Sequence, residues 1–87
     1  MPTFLDHHPV AHAATADVAL QALEAQIRAT EADEFGVRYL NAYVAVNGEG
    51  YCLSESPNAD AVVKSHGTLG YTIDIADVIE VVPVSQI

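Results

Sequence analysis

The dipeptide Asn47-Gly48 lies between two runs of strand-like sequence, RYLNAYVAV before it and YCLSES after it, which is a strong short-range signal for a β-hairpin. A two-residue type I′ turn there pairs Val46 with Glu49, Val44 with Tyr51, Tyr43 with Cys52, Ala42 with Leu53, Asn41 with Ser54 and Leu40 with Glu55. Side chains alternate across a strand, so one face carries Leu40, Ala42, Val44, Val46, Tyr51 and Leu53, and the other Tyr39, Asn41, Tyr43, Cys52 and Ser54. The first reads as a core face and the second as a half-polar, open one.

The sequence around the hairpin completes the fold. Residues 15 to 31 read as a helix with Thr15 as N-cap, Asp17 near its positive end and a stripe of Leu20, Leu23 and Ile27, while Glu24 and Arg28 add an i,i+4 pair. Pro57-Asn58 stops the second hairpin strand and caps another helix, whose apolar positions Ala59, Val62 and Val63 continue to His66 before Gly67 ends it, so that His66 faces the sheet. Residues 3 to 8 and 77 to 83 read as strands, the latter β-branched and stopped by Pro83. The order is βαββαβ. Two right-handed crossovers in that order give an α+β, ferredoxin-like sandwich, with a four-stranded antiparallel sheet of order 4-1-3-2 and two helices on one face. At 87 residues the chain makes a single domain.

This topology brings together residues far apart in the chain. Three of the four histidines fall between Asp6 and His12, more than a solvated loop requires. Strand 1 ends at His7 and His8, strand 3 begins beside it with Tyr51 and Cys52, and the second helix returns to the same edge at His66. With Leu5 toward the helices, Phe4, Asp6 and His8 share the open face with Tyr43 and Cys52. Imidazole, thiolate and carboxylate are the ligands that hold late first-row divalent ions, and this mixed set suits nickel, zinc or copper over magnesium or calcium without choosing among the three.

Each candidate also has a plainer reading. His8 and Asp6 could be a polar strand end, His66 a core histidine bonded to a carbonyl, and Cys52 a small buried hydrophobe. His12 reads as a solvated loop residue, and Tyr39 and Tyr43 as interface aromatics. Glu55, at the far end of its strand, reads as structural, pairing with Arg38 or capping the second helix. Glu31, Asp33 and Glu34 read as a solvated helix end.

Composition narrows the partners. Three basic residues against twelve acidic ones give a net charge of -9, which repels phosphate backbones and anionic lipid and attracts cations, so no nucleic-acid partner is expected. No basic segment precedes an apolar one at the N-terminus, and no stretch reaches the roughly 18 to 20 apolar residues of a membrane span. A soluble, cytoplasmic protein is expected. The lone Cys52 cannot form an internal disulfide, and 51% apolar residues in so short a chain lead to the expectation of a homodimer.

Four segments also carry a resemblance: Asp6-His7-His8 in strand 1, GVRYLNAYV at 36 to 44, YCLSESP at 51 to 57, and His66 with the glycines after it. In order and spacing they resemble a family of small, mostly actinobacterial ferredoxin-like proteins, formerly a domain of unknown function and described as nickel-binding. The resemblance implies a dimeric ferredoxin-like fold, assembled as an α/β-barrel, and a divalent metal site. The chain departs from the family pattern with histidine at position 7, where an apolar residue is more usual, and both His7 and His8 stay in the candidate set with Asp6, Cys52 and His66.

Three function classes follow. Sequestering or buffering nickel or a similar ion ranks first. A small-molecule enzyme using His8 as general base and Asp6 to orient it is the alternative, but it needs a contiguous apolar cavity that Tyr39, Asn41, Tyr43 and Ser54 do not suggest on the open face. A dimerisation module is the third. No nucleotide loop or nucleophile elbow is present, and the expectation leans away from an enzyme.

Overall fold

The computed structural model describes residues 1–9 and 17–87. Their elements are β1 (Thr3–His8), α1 (Asp17–Ala29), β2 (Arg38–Val44), β3 (Gly50–Glu55), α2 (Ala59–Thr68) and β4 (Val78–Val81), with short 3-10 turns at Ile75–Asp77 and Val84–Gln86. The sheet order is β2-β3-β1-β4, with every neighbouring pair antiparallel. That is the expected 4-1-3-2 order read from the other edge. Thr15 and His12 lie outside the described residues.

The hairpin departs from the type I′ expectation. Gly48 N–H donates to the Ala45 carbonyl at 2.9 Å and Ala45 N–H to the Glu49 carbonyl at 2.6 Å, closing a three-residue loop. Gly48 takes φ 92° and Asn47 stays at negative φ, so only the glycine supplies the left-handed step. One extra loop residue moves the register: Val44 faces Gly50, Tyr43 faces Tyr51, Ala42 faces Cys52 and Asn41 faces Leu53. A bulge at Leu40 then moves it again, so that Tyr39 faces Ser54 and Arg38 faces Glu55.

On β1, β3 and the start of β2 the two faces are exchanged relative to the sequence reading, whereas past the Leu40 bulge Ala42 packs toward the helices and Tyr43 lies on the outer face, as expected. Phe4, Asp6, His8, Tyr39, Cys52 and Ser54 are buried beneath the helices, whereas Leu5, Tyr51 and Leu53 lie on the outer face. The expectation of Leu5 inside, with Asp6, His8 and Cys52 open, is therefore corrected. Apolar count favoured the Leu5 face, but α2 turns a part-polar stripe inward, namely Ala61, Val62, Ser65 and His66. Opposite such a stripe the buried polar groups of the sheet meet other polar groups rather than aliphatic carbon, as the Tyr39 hydroxyl meets Ser65 and His66.

Local signals explain α2. Asn58 is its N-cap, its side chain accepting from Ala61 N at 2.8 Å, an interaction worth about 1 kcal/mol. The helix does not stop at Gly67. It runs to Thr68, and Gly70, at φ 93°, makes the left-handed turn that lets Tyr71 N–H reach back to the His66 carbonyl at 2.9 Å. Two apolar clusters flank the buried polar residues: Leu23, Val37, Tyr39, Cys52, Ala61 and Tyr71 toward α1, and Phe4, Val62 and Ile73 toward β4.

Candidate metal centre

Three elements place the site. In β1, Asp6 and His8 are two residues apart and share the inner face, and the β1–β3 register sets Cys52 directly opposite Asp6. In α2, His66 lies one turn beyond Val62, whose side chain is fully buried against Phe4 and Ile73. One ligand atom from each of Asp6, His8, Cys52 and His66 lies within 4.8 Å of the other three. Exposures are 0% for Asp6 and His66 and 3% for His8 and Cys52, so water cannot solvate these groups.

The carboxylate oxygens and ring nitrogens that face one another here lack hydrogen-bond partners. Asp6 Oδ1 lies 2.5 Å from His8 Nε2 and 3.2 Å from His66 Nε2. Neither contact has hydrogen-bond geometry, which leaves both Asp6 oxygens and both Nε2 atoms buried without partners. On the far side of the His66 ring, Nδ1 is 2.9 Å from the Val62 carbonyl, which can only accept, so Nδ1 carries the proton. The Nε2 of the neutral ring is then a lone pair facing a carboxylate oxygen. Two acceptors at that distance need a cation between them, either a proton or a metal ion.

The electrostatics agree. Burial pushes the Asp6 carboxyl up, but the imidazoles of His66 and His8 outweigh it and hold the group below its usual value. Burial, reinforced by the Asp6 carboxylate, pushes the Cys52 thiol far above its ordinary range, so it stays protonated until a cation displaces the proton. Ionised, Asp6 and Cys52 supply two negative charges beside two neutral imidazoles, which together neutralise a divalent ion. The donor set and the unpartnered atoms fit such an ion.

His7 is not in this cluster. It points from the outer face, with Nε2 3.4 Å from Glu49 Oε1 and its ring 5.2 Å from that of Tyr51. Glu55 lies 3.6 Å from Arg38 Nε at the far end of the sheet. His8 and Cys52 also border a cleft of about 380 Å³ walled by Leu23, Ile27, Ala42 and Tyr71.

Two residues read differently from sequence belong to the surroundings of His66. Tyr39 is not an interface aromatic. It is 2% exposed, with its hydroxyl 2.6 Å from Ser65 Oγ and 3.2 Å from His66 Nδ1. Asp33 is not a solvated helix end, since one of its oxygens accepts from Phe35 N and Val37 N and the other from the Ser65 hydroxyl. Ser65 itself had no sequence signal beyond its place beside His66.

The family described as "Nickel responsive protein SCO4226-like" matches residues 4–81. The chain belongs to this family. Among solved structures, SCO4226 from Streptomyces coelicolor A3(2) is similar, with 32% identity and a TM-score of 0.63 over 91% of this chain and 94% of that one. No curated relative matches the chain. The family match spans β1 through β4 and so includes all four clustered residues.

Proposed function

We propose that the protein binds and buffers a divalent transition-metal ion of the nickel type through Asp6, His8, Cys52 and His66. The observation that carries this reading is the convergence of four buried donor atoms within 4.8 Å, with carboxylate and imidazole lone pairs left facing one another. The nickel-responsive description of the family supports nickel over zinc or copper, which the same N, S and O donors also accommodate. His7 stands outside the proposed ligand set. Thiolate ligation needs a reduced Cys52, which fits a cytoplasmic setting. No helix among the described residues is long and apolar enough to cross a membrane.

Calorimetric titration of metal-free protein with nickel and with zinc tests the proposal. Heat of binding and a rise in melting temperature with added metal are expected, because an ion that binds only the folded state stabilises it by mass action. Absence of both with either ion overturns it. The cleft beside His8 and Cys52 favours a second reading, small-molecule chemistry with Asp6 and His8 as an acid-base pair, which would stand if metal fails and a small organic ligand protects the protein instead.

The outer sheet face carries Leu5, Leu53 and Tyr51, half-buried, with Tyr43 56% and Ile79 55% exposed. A contiguous apolar face of this kind is costly to leave wet, and a second copy of the chain would cover it. Sedimentation at micromolar concentration is expected to show a homodimer that Tyr43→Glu dissociates, and a monomeric wild type removes the dimer from the proposal.

A further inference from the structure

A single directed chain of hydrogen bonds runs from the loop before β2 to the candidate metal centre. Asp33, as a carboxylate, only accepts, so the Ser65 hydroxyl donates to it. Ser65 Oγ is then free to accept from the Tyr39 hydroxyl at 2.6 Å, and the Tyr39 oxygen to accept from His66 Nδ1–H at 3.2 Å. That Nδ1 also faces the Val62 carbonyl, which fixes the same direction. Ser65 and His66 are 0% exposed and Tyr39 2%, so water does not compete for these bonds. Asp33 is held in turn by Phe35 N–H at 2.9 Å and Val37 N–H at 3.0 Å.

We propose that Asp33, Ser65 and Tyr39 are positioning residues that lock the His66 ring with its proton on Nδ1, so that the Nε2 lone pair faces Asp6, His8 and Cys52. The inference rests on the metal-binding reading of those four residues and adds the groups that orient one of them. Ligating histidines characteristically donate their second ring nitrogen to an oxygen acceptor, which fixes the tautomer and raises ligand basicity. Here the acceptor is doubled: a carbonyl of the same helix, and a phenol whose own proton is drawn away through a serine to a carboxylate. The Val62 carbonyl moves with α2, whereas Tyr39 belongs to β2, so the relay also ties the ring to the sheet that carries the other three residues.

The test uses Tyr39→Phe, which removes the hydroxyl and keeps the ring packing, together with Ser65→Ala and the double variant. Zinc affinity is measured by calorimetry alongside the melting temperature of the metal-free proteins. Tyr39→Phe is expected to lower affinity by about 10-fold or more, in line with the usual effect of losing a group that orients a ligand. Ser65→Ala is expected to add little in the Tyr39→Phe background, because both break one chain. Fully additive losses, or unchanged affinity in a folded Tyr39→Phe protein, overturn the relay. A second readout does not depend on metal: nitrogen-15 spectra of the metal-free wild type should show a His66 Nδ1–H that exchanges slowly with water, and Tyr39→Phe should accelerate that exchange. If the wild type binds no metal, the ligand reading fails and this readout decides the relay alone. A His66 without a proton on Nδ1, or one equally protected in Tyr39→Phe, refutes it.

Discussion

Replacing Cys52 by serine, or His8 or His66 by alanine, is expected to weaken nickel binding by at least about 10-fold, since even groups that only orient a ligand commonly cost 10 to 100-fold. The four donors are buried and come from three elements, so the loss of one leaves the ion a protein ligand short. Cys52→Ser is the most discriminating change. It keeps the shape of the side chain while removing the thiolate, and with it one of the two negative charges that neutralise the ion. Two controls bracket the result. His7→Ala removes a histidine one residue from His8 but on the outer face, and Glu55→Gln removes a carboxylate at the far end of β3 beside Arg38. Both should titrate like wild type, and loss of binding in His7→Ala with retention in His8→Ala would reverse the ligand assignment.

Acid should act on the protein in two separate steps. Metal binding requires the Cys52 proton to leave, because burial and the Asp6 charge keep the thiol protonated in the metal-free protein. At least one proton is therefore released per ion bound, with a second where a proton bridges Asp6 and His66 in the metal-free site, and the calorimetric heat should vary with the ionisation enthalpy of the buffer. Protons also compete with the ion for the ligand atoms, so bound metal should be lost as pH falls. The fold responds at lower pH. Asp6 has a folded-state pKa below its unfolded value, so the stability it contributes is fully present above the ordinary aspartate range near about 3.9 and is lost as pH falls through the depressed folded value. Between the two steps the protein should be folded and metal-free. Following metal release with a chelating dye and unfolding by circular dichroism checks the separation, and metal retained down to about pH 4.5 would point to carboxylates alone as ligands.

Several features of the fold were legible because they depend on local chemistry. The β1 limits, Thr3–His8, follow from the sequence alone, as do Asn58 as a helix cap and the βαββαβ order. Handedness and short connections then leave few ways to arrange four strands, so the meeting of strand 1, strand 3 and the end of the second helix at one edge could be reasoned out before any coordinate. The inward direction of His66 was also readable, because helical spacing places it on the face of Val62.

What local chemistry could not supply was the side of the sheet on which those residues lie. A side-chain period of two makes every face assignment hostage to a single residue of register. Here the loop takes one residue more than a type I′ turn and Leu40 bulges out, changes that leave Asn47-Gly48 in place but alter every pair around it. Counting apolar residues then chose the wrong face for β1 and β3, because it treats burial as a property of each side chain. Asp6, His8, Cys52, Ser65 and Tyr39 are buried as a group, Tyr39 and Ser65 partnered with each other, and Asp33 joins them from a loop 32 residues before Ser65. The sequence alone determined which candidate ligand types this chain carries and at which edge they gather. Only the tertiary structure decided that they face inward, because the free energy of a buried polar group depends on partners that the chain brings together only by folding.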